Sequence, residues 1–100
     1  MAYERVVAMQ VDDAESYRKY REAMEPLLIK SGGRFRFDFW IAEVLRSETA
    51  KKMNRVFVIT FDSKQQSDDF FATAEYKEIR KTFFTPAVSD VTTIAEFEQG

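Results

Sequence analysis

The sequence predicts a single α+β domain over residues 1–100, with a four-stranded antiparallel sheet and two helices on one face. Three observations predict it. Periodicity gives the order strand, helix, strand, strand, helix, strand. The first and third strands are apolar on both faces, as interior strands are, and right-handed crossovers then give the spatial order 4-1-3-2. The third observation is the stretch from Gly32 to Ser47, whose apolar residues change phase partway along.

The first strand spans about Glu4 to Val11, where Val6, Val7, Ala8 and Met9 form a continuous apolar run. Asp12 or Asp13 caps the helix that follows, and Asp12 with Glu15 has capping-box spacing. Tyr17, Tyr20, Met24, Leu27 and Leu28 fall on one arc of that helix. Pro26 predicts a kink or a restart, because it has no amide proton and collides with the carbonyl of Glu22. Gly32 and Gly33 end the helix.

The second strand begins with a period of two. Phe35, Phe37, Phe39 and Ile41 alternate with Arg34, Arg36 and Asp38, and then Trp40, Ala42 and Val44 take over the apolar phase. Strict pleating makes this an edge strand with apolar residues on two sides, one of them toward a second subunit. A β-bulge near Phe39 to Ile41 would instead restore one phase. Glu48 to Met53 reads as a loose loop. Asn54 to Phe61 is the interior third strand. Ser63 and Gln66 form a capping box for a helix bearing Phe70 and Phe71, with a break near Thr73 before a turn carrying Tyr76, Ile79, Arg80, Phe83 and Phe84. Pro86 ends it, and Val91 to Phe97 supplies the last strand. The open sheet face needs a cover, which a two-fold partner offering its own open face would provide.

Composition narrows the chemistry. There is no Cys and no His, which removes thiolate nucleophiles, disulfides, the commonest general base and the usual protein ligand of haem iron. No cofactor or metal is expected. Net charge is −2 and no basic stripe exists, so neither nucleic acid nor an anionic membrane is an expected partner. The third strand, NRVFVITF, also lacks the glycine and stacking rings of an RNA-recognition sheet. Neither an export signal nor a transmembrane stretch is read, and the expected location is cytoplasmic.

Candidate functional residues are few. Tyr17 and Tyr20 bring phenols to the inner arc of the first helix, where they either pack or hydrogen-bond a small carbonyl compound. Arg34 lies on the polar side of the second strand and either offsets Asp38 or clamps a carboxylate. Arg80 is a second candidate clamp. It follows Tyr76 by four residues, so both share one helical face. Asp12 and Asp13 are read as caps, not catalytic acids.

At Tyr17, Tyr20, Pro26, Gly32 and Gly33 the chain, reading VDDAESYRKYREAMEPLLIKSGGR, resembles the family catalogued as domain of unknown function 1330. The segment TAEYKEIR, Thr73 to Arg80, is similar to that family's second signature, with Thr73 and Ala74 where a serine and a proline are usual. The resemblance implies a ferredoxin-like fold that pairs as a dimeric α/β barrel. It also implies relatives that include cofactor-independent monooxygenases, haem-dependent enzymes and isomerases; the missing His argues against the haem branch. Three functions follow as expectations. The leading one is a homodimer binding a small carbonyl or carboxylate compound in an aromatic-lined pocket between sheet and helices, with Tyr76, Arg80, Arg34, Tyr17 and Tyr20 as contacts. The others are a cofactor-independent enzyme acting on such a compound and a purely structural dimer module.

Overall fold

The structure, a computed structural model, describes residues 2–99. Its elements run β1 (Ala2–Val11), α1 (Ala14–Lys30), β2 (Arg34–Trp40), β3 (Arg55–Phe61), α2 (Lys64–Ala72), α3 (Ala74–Ile79), a π-helical turn (Arg80–Phe84) and β4 (Val88–Gln99). The strands form one sheet in the order β2-β3-β1-β4, every pair antiparallel. This is the order expected, with the two least alternating strands in the middle. No helix among the described residues is long and apolar enough to cross a membrane.

Alternation sorts the sheet into two faces. On β1, Arg5, Val7 and Met9 point under the helices, as do Phe57 and Ile59 on β3. Met24 and Leu28 of α1 close over this face, with Phe61 and Phe70, in one continuous core. Residues of the other parity, among them Val6, Ala8, Val56 and Val58, form the open face.

Local signals explain the helix ends. Asp13 is the cap of α1, its carboxylate accepting from the Ser16 amide at 3.0 Å. The expected pairing of Asp12 with Glu15 is not made, because Glu15 sits within the first turn and pairs with Arg18. At the other end Gly33 N–H donates to the Leu28 carbonyl and Gly32 N–H to that of Ile29, a Schellman closure that puts Gly32 at φ 88°. Gly33 is needed for a different reason. A Cβ there would stand 2.5 Å from Leu28 Cδ1 and 2.7 Å from Phe61 Cε1. Helix α1 does not restart at Pro26; it continues to Lys30. Pro26 and Glu22 are both exposed, so water can take the carbonyl the proline leaves without a donor. Ser63 caps α2 as expected, while the Gln66 side chain reaches one residue further back, to the amide of Asp62. The second helical region does break at Thr73, whose hydroxyl caps α3 by accepting from the Tyr76 amide.

The second strand departs from expectation in two ways. The phase change is a bulge, but it lies at Arg36: Phe35 pairs with Ile59, Phe37 with the next residue Val58, and Arg36 has no opposite number. Phe35 therefore faces the helices, whereas Phe37 and Phe39 face the open side and Asp38 and Trp40 return to the helix side. Arg36 pairs with the buried carboxylate of Glu4, and Arg34 stands opposite Thr60 on the open face. The strand also ends early, at Trp40. Ile41 N–H makes the last bond, to the Asn54 carbonyl at 2.7 Å, and Asn54 is otherwise committed to β1 through Met9 and Val11. Residues 42–47 thus have no strand to pair with and join the loop, leaving Val44 and Leu45 exposed.

Candidate functional site

Between α1, α3, the π-helical turn and the inner sheet face lies a cavity of about 220 Å³. Its walls follow from helical spacing. Tyr17, Tyr20, Arg21 and Met24 are separated by three or four residues and present one stripe of α1, and Tyr76, Arg80 and Phe84 do the same from the opposite side. The floor comes from alternate sheet residues: Arg5, Val7 and Met9 on β1, Phe57 and Ile59 on β3, Phe35 on β2 and Val91 on β4.

One end is built around a pair of phenols. The hydroxyls of Tyr20 and Tyr76 are 2.8 Å apart and buried, and either can donate to the other. Phe71 and Phe84 flank them, at 5.0 Å between ring centroids for Phe71 with Tyr76 and likewise for Phe84 with Tyr20. Burial raises both phenol pKa values. For Tyr20 the proximity of Tyr76 adds to the rise, whereas for Tyr76 the hydrogen bond with Tyr20 and the charges of Arg80 and Arg5 oppose it. Both are neutral hydroxyls at physiological pH.

The other end is a charged network. Arg21 Nε donates to the Tyr17 hydroxyl at 2.7 Å, and its Nη1 is 3.1 Å from Asp38 Oδ2. Arg55 grips the same carboxylate with two parallel bonds, 2.8 and 2.7 Å. The Arg21 guanidinium lies 3.7 Å from the centroid of Phe35, and that of Arg55 lies 4.3 Å from Trp40. Burial alone would raise the Asp38 carboxyl, but the Arg55 hydrogen bonds and the two guanidinium charges outweigh it and hold the group below the usual carboxylate range. Burial likewise raises Tyr17, against the pull of Arg21.

Tyr17, Tyr20, Tyr76 and Arg80 are thus brought together around one cavity, although they come from segments far apart in the chain. Arg34 is not among them. It precedes the bulge, stands opposite Thr60 and, by simple pleating next to the inward-facing Phe35, lies on the opposite face of the sheet. Four polar residues of the site were not anticipated: Arg5, Arg21, Asp38 and Arg55. Arg21 carried a usable signal, since it lies four residues after Tyr17 on the same arc, the argument that linked Tyr76 to Arg80. Asp38 carried none, because its side depends on the bulge. Among the described residues no three acidic side chains are placed to hold a metal ion.

A family model described as Domain of unknown function (DUF1330) matches residues 2–97. No protein of curated function matches the chain. Among solved structures, the RPA0582 protein of unknown function from Rhodopseudomonas palustris superposes with a TM-score of 0.82 at 17% identity, over 98% of this chain and 82% of that one. A protein from Nitrosomonas europaea named as an antibiotic biosynthesis monooxygenase gives 0.61 at 14% identity, over 98% and 89%. A protein of unknown function from Bacteroides fragilis, described as dimeric and ferredoxin-like, gives 0.64 at 14% identity, over 98% and 96%. At these identities the likeness is one of fold: the ferredoxin-like fold of dimeric α/β barrel proteins.

Proposed function

The chain belongs to this family of unknown function, DUF1330, and we propose that it binds a small carbonyl or carboxylate compound in the cavity beneath α1 and α3. The observation that carries the reading is the cavity itself, in which apolar walls meet a few convergent donors, the Tyr20 and Tyr76 hydroxyls and the guanidinium groups of Arg5, Arg21 and Arg80. Binding is favoured over catalysis by the lining. It contains no carboxylate and no amine, its phenols are held protonated, and the carboxylate behind it, Asp38, is taken up by Arg21 and Arg55, so proton abstraction from a substrate has no free resident base.

The working form in this reading is a cytoplasmic homodimer joined through the open sheet face. Phe37, Phe39 and Phe97 are 41–55% exposed there, and Ile94 is exposed at the bulge of β4. Exposed apolar side chains at both edges of one sheet face, with Val6, Val56 and Val58 between them, make a surface of the kind that a second copy covers, and the Bacteroides fragilis neighbour is described as dimeric.

A thermal-shift screen of small aldehydes, ketones, phenols and carboxylates tests the binding reading. A true ligand at about a hundred times its Kd adds about 2.7 kcal/mol, which for a domain of this size raises the melting temperature by roughly 10 °C or more. A screen in which no compound moves it removes the pocket reading and leaves a structural dimer module. Assaying any hit for turnover separates binder from enzyme.

A further inference from the structure

The cavity concentrates positive charge inside a chain whose net charge is −2. Three guanidinium groups line it and no carboxylate does. Guanidinium groups donate only, so their unfilled positions specify acceptors.

At the network end, Asp38 is shared by Arg21 and Arg55, two cations on one anion. Arg21 uses Nε on Tyr17 and Nη1 on Asp38, and its Nη2 is buried with no hydrogen-bond partner. At the phenol end, Arg5 Nε is also buried without a hydrogen-bond partner. The nearest carboxylate oxygen, on Glu96, is 3.7 Å away, and Arg5 Nη2 makes a long 3.4 Å bond to Thr93. Arg80 makes no side-chain hydrogen bond or ion pair among the described residues; its guanidinium lies over Phe84 at 4.8 Å. The Tyr20 and Tyr76 pair uses one of its two hydroxyl protons internally, which leaves one to donate. The donors that a ligand can reach are therefore at the phenol end, since Arg21 Nη2 is enclosed by protein, and the rest of the cavity is walled by apolar residues, among them Met9, Met24, Phe57 and Ile59.

We propose that the ligand is a one-ring aromatic carboxylate. Its carboxylate is received by Arg5, Arg80 and the phenol pair, and its ring lies between the methionine and phenylalanine walls. This rests on the reading that the cavity is a ligand site and adds charge, polarity and orientation to it. The size of the cavity suits a single ring. The volume corresponds to about seven water molecules at about 30 Å³ each, below the range of drug-sized pockets. An aromatic body suits walls that present ring faces and polarizable sulfurs.

The test is isothermal titration of the full chain with the three hydroxybenzoate isomers, their neutral amides, benzoate and a short aliphatic oxo acid. At least one hydroxybenzoate is expected to bind roughly tenfold or more tightly than its own amide. Arg80→Gln, at an exposed position, is expected to weaken the acid roughly tenfold while leaving the amide unchanged, and Arg5→Gln to do the same. Amides that bind as well as acids overturn the carboxylate end while the pocket reading stands. An oxo acid that binds more tightly than all aromatic acids overturns the ring. If no probe binds and the broader screen also yields nothing, the pocket reading itself fails.

Discussion

The two faces of the sheet are made by the same four strands, yet they solve the problem of apolar surface differently. On the inner face, Met9, Ile59 and Phe61 are covered by the chain's own helices, and two sets of polar groups there are paired with one another, Tyr20–Tyr76 and Arg21–Asp38–Arg55. On the open face, Phe37 and Phe39 stack on one another at the edge and stay half exposed, beside the ion pair of Arg36 with Glu4. Stability within one chain is therefore concentrated on one side, and the surface available for association on the other. A single bulged residue, Arg36, decides which side chains of β2 go to which face.

The sharpest way to break this comparison is to truncate one residue on each side. Leu28 is fully buried between α1 and the sheet, so Leu28→Ala is expected to cost about 2–5 kcal/mol in urea unfolding, whatever the protein concentration. Phe39→Ala removes a ring that is 55% exposed, and in an isolated chain the expected cost is below about 0.5 kcal/mol. Its effect should appear through association instead, as a fall in sedimentation-derived dimer affinity and a loss of the rise in stability with concentration. Equal, concentration-independent costs for the two variants would mean that the open face is as much a part of the monomer core as the inner one.

A smaller change probes the polar side of the inner face. Asp38→Asn removes the one carboxylate that two partly buried guanidinium groups share, with an expected loss of about 1–3 kcal/mol at neutral pH. The pH dependence has a definite sign. Because Asp38 in the folded protein lies below its ordinary carboxylate value, its contribution is complete above the unfolded pKa, about 3.9, and is lost as pH falls through the lower folded value. The gap between the parent and Asp38→Asn should therefore be full at pH 6 and above and close progressively in acid below about pH 4, as followed by circular dichroism. A gap that is constant across that range would assign the loss to altered packing, not to charge.

Most of the fold was legible in the sequence because its signals are local. The continuous apolar runs identified the central strands, the tyrosine and methionine stripe gave α1 its buried face, and Thr73 marked the break between α2 and α3. Half of the cavity was legible by the same means: Tyr17 with Tyr20, and Tyr76 with Arg80, each share a helical arc. The rest depends on a non-local event. Reading Asp38 as lying on the face opposite to Arg34 requires the position of the bulge, which is set by how β2 registers on β3 and leaves no mark in the alternation of Phe35, Phe37 and Phe39. The early end of β2 has a similar origin, since it follows from where Asn54 spends its hydrogen bonds.

The smallest expected effect belongs to Arg34, and it sharpens the boundary between the faces most finely. Arg34 is exposed and stands opposite Thr60, on the side of the sheet away from the cavity. Arg34→Gln should change stability by less than about 0.5 kcal/mol and leave the ligand-induced thermal shift as it is in the parent, whereas Arg80→Gln on the cavity wall diminishes that shift. If Arg34→Gln instead lowers the ligand shift at all protein concentrations, the assignment of β2 to its faces is wrong at the bulge. If it does so only where the protein is dimeric, the two faces are not independent: association on the open side then changes the cavity on the inner one, and the shared strand β2 is the element that carries the coupling.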